Sequence, residues 1–414
     1  MSFPIERVRE AFPALSIEDN NRARIYLDNP AGTQVAQSVA DAVAHCLINS
    51  NANLGGYFPT TLAAAEVVEE AHRAMADFLG AASADEIIIG ANMTSITFHL
   101  ARSICRDFKP GDEILLTRMD HEGNVAPWLT IAEDLGLVVK WLPFDTETWQ
   151  VEPETLAANL SERTRLIAFN YASNLTGSIN DVKALTALAK EAGALVYIDA
   201  VQLAPHRAID VQDIGCDFLA CSAYKFFGPH IGIVWGRPEV LRGLPAYKCR
   251  CVGDDLMGKF ETGTPQIELL AGLTASVDYF AWLGSQTGSS GSRREKILAA
   301  FEAAHAYERP LAIQLIEGLQ ALPEVTIHGI TNLNRIDHRV PTVSFSYNGH
   351  KPSLVSKTLS DNNIFIWDGH NYALEVVRQL GIPEDEGIVR IGIAHYNTEA
   401  EIDRTLECLA AIGK

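Results

Sequence analysis

The chain has 414 residues, a mass of 45.2 kDa and a formal charge of −19, from 33 Lys and Arg against 52 Asp and Glu. An apolar fraction of 47% excludes a disordered chain, and the length of about two ordinary domains leaves room for a substantial core in each. The negative excess argues against nucleic acid or an anionic membrane as the main partner, since both would be repelled. From residue 86 to 236, short β-branched runs alternate with amphipathic stretches. Glu86–Gly90 reads as a buried strand, and a helix is expected from Thr94 to about Arg106. Glu113–Thr117 is the second strand, and Ala126–Leu135 a helix stopped by Gly136. Leu137–Leu142 is the next strand, Glu154–Leu160 a short helix behind Pro153, and Leu166–Tyr171 a strand. Asp181 is placed to cap a helix running to Ala192, ahead of strand Ala194–Asp199. Phe218–Ser222 and Gly232–Trp235 complete seven strands. This alternation implies an α/β domain with a mostly parallel sheet covered on both faces.

Gly284–Ser292 is Gly/Ser-rich and reads as a mobile linker. Beyond it a long helix is expected from Arg293 to about Leu322, with a break near Pro310. Strands are expected at Val325–His328, Thr342–Tyr347 and Ile388–Ile393, with helices near Pro352–Asn362 and Glu399–Ile412. The expected division is a large domain over 1–283 and a small α+β domain over 284–414, with the N-terminal helix packing on the latter. Seven Cys without a CxxC pair do not make a disulfide framework, and no metal site is expected. The N-terminus shows no basic-then-apolar leader, and no run of about 18 apolar residues occurs. The expected location is the cytoplasm.

The densest chemistry follows the last strands of the first domain. Asp199 ends one strand, with Gln202 three positions on; Ser222 ends the next, followed by Ala223-Tyr224-Lys225-Phe226-Phe227-Gly228-Pro229. Ligands in open α/β sheets sit outside the carboxyl ends of strands, so Asp199 and Lys225 are placed toward one site. A lysine taken alone is most often a solvent-facing loop residue, but the apolar company of Lys225 would depress its pKa and favour a nucleophilic amine. Pyridoxal phosphate (PLP) needs such an amine for a Schiff base and a carboxylate that keeps its pyridine nitrogen protonated. Asp199 and Lys225, 26 residues apart, suit the two ends of that ring.

Tyr197–Gln202 followed by Ser222–Pro229 resembles the core of the class V aminotransferase family of fold-type I PLP enzymes. The similarity runs from Tyr26–Thr33 to Arg390–Thr398 and is strongest to the cysteine desulfurases and selenocysteine lyases. It implies a large domain with a mostly parallel seven-stranded sheet, a smaller α+β C-terminal domain, and a homodimer with composite sites. It also implies roles, position by position. Thr94 and Ser95, opening a helix after a strand, bind the phosphate, where backbone N–H groups and the helix dipole favour an anion. Ser222 and Tyr224 add phosphate contacts, and Thr264 donates to the phosphate of the neighbouring subunit's site. His121 stacks on the pyridine ring and can relay a proton. Asn174 and Gln202 face the ring hydroxyl. Arg390 grips the substrate α-carboxylate through its guanidinium fork, with Asn29 assigned beside it.

The desulfurase pattern breaks at one place. Where the family carries a mobile cysteine that takes up the substrate sulfur, this chain reads Trp367-Asp368-Gly369-His370-Asn371-Tyr372, and no cysteine lies between Cys251 and Cys408. Tyr372 stands at the cysteine's position and Trp367 at that of an expected arginine. Cys249 and Cys251, beside Arg250, are weak substitutes, and the other five thiols read as core. The remaining parts suit β-elimination from a cysteine-type amino acid, a C–S or C–Se lyase reaction through Lys225, with His370 and Tyr372 as substrate-facing groups. Transamination and epimerisation use the same parts, and a silent PLP-fold scaffold is the non-enzymatic alternative.

Overall fold

The hydrophobic runs between residues 87 and 236 form one seven-stranded sheet in the computed structural model, which describes residues 3–412. Its strands are β1 (Ile87–Gly90), β2 (Glu113–Thr117), β3 (Val138–Leu142), β4 (Thr164–Asn170), β5 (Leu195–Asp199), β6 (Phe218–Ser222) and β7 (Gly232–Gly236). The spatial order is β1-β7-β6-β5-β4-β2-β3, and only β7 runs against the others. The alternation of side chains explains why both faces are covered. Ile87, Leu115, Ile167, Val196, Leu219 and Ile233 point into one core, while Ile88, Ile114, Leu166, Tyr197, Phe218 and Val234 point into another.

The C-terminal part has its own three-stranded antiparallel sheet, β8 (Val325–His328), β9 (Thr342–Tyr347) and β10 (Val389–Gly392), in that order. A third core forms here from Leu311, Leu315, Phe345, Ile391 and Ile402. Ile25 and Leu27 join it from the N-terminal segment, whose strand Ile25–Tyr26 pairs with Ile364–Phe365. In the N-terminal helix Ile5–Glu10, Val8 packs into the large core, while Arg9 bonds Tyr396 O and Glu401 near the C-terminal helix Glu399–Ile412.

Two expectations are corrected. The Gly/Ser-rich stretch, expected to be mobile from Gly284 onward, begins inside a helix, Ile267–Gln286. Gly284 is needed there: a Cβ would lie 1.9 Å from Lys296 O of the adjacent helix. That helix, Arg293–Gln320, runs unbroken through Pro310. A proline removes one backbone bond and normally kinks a helix. Here Ala304, Glu308, Leu311, Ala312 and Leu315 are buried on both sides of it, so tertiary packing overrides the local preference. Pro310 and Ala306, whose carbonyl loses its partner, face solvent. Among the described residues, no helix is long and apolar enough to cross a membrane.

Candidate active site

The carboxyl ends of β1, β2, β4, β5 and β6 converge on one cleft. An inner cavity of about 270 Å³ is lined by Thr94, His121, Asn174, Asp199, Gln202, Ser222, Tyr224 and Lys225 among others. It shares Thr94, His121, Asn174, Tyr224 and Lys225 with an outer cavity of about 650 Å³, which also takes in Arg390, Trp367, His370 and Tyr372. The helix Met93–Ile104 enters directly after β1, with Asn92 as its cap. Gly232 permits the close fit at that helix start, since a Cβ there would lie 2.2 Å from Met93 N.

Lys225 ends a tight turn, Ala223–Lys225, that follows β6 and buries the amine. Its Nζ donates to Pro30 O and lies 4.8 Å from the centre of the Tyr224 ring. Burial, assisted by the Arg390 charge, brings its pKa down to about 7, although Asp199 opposes this. Asp199 is buried at the end of β5, with Oδ1 accepting from Val201 N–H at 2.9 Å. Burial raises its pKa to about 6, against the pull of the Val201 N–H and of Lys225.

His121 Nδ1 accepts from Gly123 N–H at 2.9 Å, which leaves Nε2 as the protonated nitrogen of the neutral ring. Burial first, then Lys225 and Arg390, hold its pKa down at about 3, so it is neutral across the physiological range. Asn174 and Gln202 are buried: Asn174 Nδ2 donates to Asn371 O and Gln202 Nε2 to Thr342 Oγ1, while both amide oxygens lack partners among the described residues. Tyr224 stacks on His230, ring centres 4.8 Å apart, and burial raises its phenol pKa.

Arg390 sits in β10, opposite Ser344, and is almost fully buried. Its Nη1 donates to Asn174 O at 2.9 Å, its Nε has no partner among the described residues, and burial brings its pKa down to about 9. Tyr372, 64% exposed, stacks on His121 with ring centres 5.4 Å apart. Its carbonyl accepts from Glu122 N–H at 2.7 Å, and its N–H donates to His370 Nδ1 at 3.0 Å. Asn371 and Tyr372 both adopt positive φ, +49° and +58°. No cysteine lines either cavity, and Cys249 and Cys251 are exposed elsewhere.

Three sequence-derived site residues are not brought into this cleft by the chain. Asn29 is a buried tie: Nδ2 donates to Tyr26 O and Gly392 O, and Oδ1 accepts from Tyr396 OH, so its hydrogen-bonding capacity is used inside the protein. Ser95 has its N–H held by Asn92 Oδ1 and, with Thr264, lines a separate cavity. Conversely, sequence reasoning missed Asn92, His230 and the Pro30 carbonyl. An asparagine just ahead of the helix start signals the Asn92 cap; no spacing in the chain marks the other two.

The comparisons with known proteins agree along the whole chain. A family model described as aminotransferase class V matches residues 25–405. An aminotransferase-like protein of Gibberella zeae is 34% identical over 419 aligned positions, covering 99% of each chain. A cysteine desulfurase of Pectobacterium atrosepticum is 34% identical over 429 positions, covering 100% of this chain and 99% of its own. The apo structure of a cysteine desulfurase from Thermococcus onnurineus superimposes with a TM-score of 0.85 at 28% identity, across 100% of this chain and 98% of that one.

Proposed function

The chain belongs to the class V aminotransferase family of PLP-dependent enzymes, and on that premise we propose that it is a lyase cleaving the Cβ–S or Cβ–Se bond of a cysteine-type amino acid. One observation carries the choice: relatives at this similarity are named cysteine desulfurases, yet no thiol lines the cleft to receive a sulfur atom. The sulfur must then depart with its own substituent.

The residues present fit PLP. Among the described residues, Asn174 Oδ1, Gln202 Oε1 and Arg390 Nε are buried without partners, and each such orphan costs on the order of 1–3 kcal/mol unless a ligand satisfies it. The two amide oxygens can accept from a ring hydroxyl, and Asp199 from a protonated ring nitrogen. Thr94 stands in the first turn of its helix, where backbone N–H groups lack intrahelical acceptors and suit a phosphate. Ser222 and Tyr224 line the same cavity. When bound, PLP supplies a conjugated ring that takes up the electron pair left at Cα.

The chain's own part follows from its groups. Arg390 offers Nε to the α-carboxylate, and Asp199 holds the proton on the ring nitrogen. Lys225, with its lowered pKa, takes the Cα proton on Nζ. The Cβ–S bond then breaks with its electrons on sulfur, and His370 or Tyr372 can protonate the departing thiolate. Incubation with cystine, selenocysteine and cysteine S-conjugates is expected to yield pyruvate and ammonia. Keto acids from a broad amino-acid panel, with no pyruvate from these three, would instead establish transamination.

We also propose a cytoplasmic homodimer of two-domain subunits divided near residue 284, in which Thr264 reaches the partner's phosphate. Supporting this, Ile48, Tyr57, Phe58 and Leu62 are exposed apolar side chains, and Thr264 lies away from the chain's own Lys225. Free, exposed Cys249 and Cys251 suit a reducing compartment. The expected mass in solution is that of two chains; light scattering that returns one chain refutes the dimer.

A further inference from the structure

The floor and the mouth of the outer cavity have opposite character. Lys225 and Arg390 lie at the floor, both buried, and Arg390 Nε is a polar atom there with no partner among the described residues. This orphan marks where the carboxylate end of an amino-acid ligand enters. At the mouth stand two exposed aromatic rings, Trp367 (50% exposed) and Tyr372, together with Asp368, Glu384 and Asp385. Glu384 is engaged by Arg378 at 2.6 Å, and that arginine also pairs with Glu375. Asp368 and Asp385 make no hydrogen bond or ion pair among the described residues. Unpaired carboxylates beside aromatic faces form the environment that attracts a cationic group, by Coulomb attraction and by the ring quadrupoles.

We propose that the substrate carries a positively charged substituent beyond its sulfur, held at the mouth by Asp368 and Asp385 against Trp367 and Tyr372. This rests on the lyase reading and names its substrate class: cysteine thioethers, or disulfides, that end in an amine. The reaction is balanced without an oxidant. The Cα proton passes to Lys225 Nζ, the Cβ–S bond breaks, and sulfur keeps the electron pair and gains a proton. The released aminoacrylate takes up water to give pyruvate and ammonia. A neutral substituent of equal length finds no partner at the mouth, and an anionic one meets like charge.

The test uses the holoenzyme with S-aminoethylcysteine, S-propylcysteine and S-carboxymethylcysteine, which differ mainly in terminal charge. Binding is read from the change in coenzyme absorbance and turnover from pyruvate in the same titration. The aminoethyl compound is expected to bind and turn over about tenfold better than the propyl one, with the carboxymethyl compound poorest. In the Asp368→Asn, Asp385→Asn double variant, the aminoethyl-to-propyl ratio is expected to fall to about one. Equal constants for all three compounds in the wild type, or a preference that survives the double substitution, overturn the inference. Absence of pyruvate with charge-selective binding intact counts against the lyase reading alone, so the two failures are distinguishable.

Discussion

Replacing Lys225 by methionine is expected to lower turnover by at least about 10³-fold and to remove the covalent link to PLP. Methionine fills a similar volume without an amine, so lost activity reports missing chemistry, not a collapsed core. The coenzyme absorbance should change to that of a non-covalent complex, and borohydride should no longer fix PLP on the protein. Turnover that persists in the variant would remove Lys225 from the mechanism.

The same substitution changes the stability of the coenzyme-free protein. The folded pKa of Lys225, about 7, lies below its ordinary 10.5. Between these values the unfolded chain binds a proton that the folded chain does not, so this residue makes stability rise with pH across the window. Below about 7 the full cost of a buried cation is present, several kcal/mol after relaxation. The methionine variant is therefore expected to be the more stable chain on the acid side and to show a flatter pH dependence in urea melts. Parallel curves for the two proteins would mean that the amine is not buried as described.

Asp199→Asn is expected to reduce kcat by about 10²–10³-fold, because the carboxylate that keeps the ring nitrogen protonated, and the ring able to take up the electron pair, is lost. The amide keeps the shape and retains an oxygen for the Val201 N–H, so the fold should be untouched. An asparagine cannot hold the ring nitrogen's proton through a negative charge, and PLP should also bind more weakly. An unaltered kcat together with unaltered coenzyme affinity would show that this carboxylate is only a strand terminus.

Much of the fold was legible because burial is written into residue type and spacing. Ile87-Ile88-Ile89 reads as a strand since both faces of the sheet are apolar, and Asp181 caps its helix by accepting from Ala184 N–H, as its position implies. Pro310 shows the limit: whether a helix survives a proline depends on what packs on either side, which no local pattern contains. The site divides the same way. Asp199 and Lys225 follow adjacent strands, so topology alone brings them to one cavity. Asn29 read as a site residue because its motif matched, but its partners Gly392 and Tyr396 come from the far end of the chain. Ser95 shares a helix turn with Thr94 and still faces another cavity, because successive helical side chains point about a quarter-turn apart.

Two neighbouring residues in left-handed backbone conformation, neither of them glycine, are an uncommon expense of about 1–3 kcal/mol each. Asn371 and Tyr372 persist in it because Asn174 and Glu122 clasp their carbonyls. Held at consecutive peptide groups, this segment is expected to keep its side chains in place instead of swinging one in to collect an atom and out again to deliver it. On the lyase proposal, sulfur is then expected to leave as a freely diffusing small molecule, with turnover unchanged when a carrier protein is added.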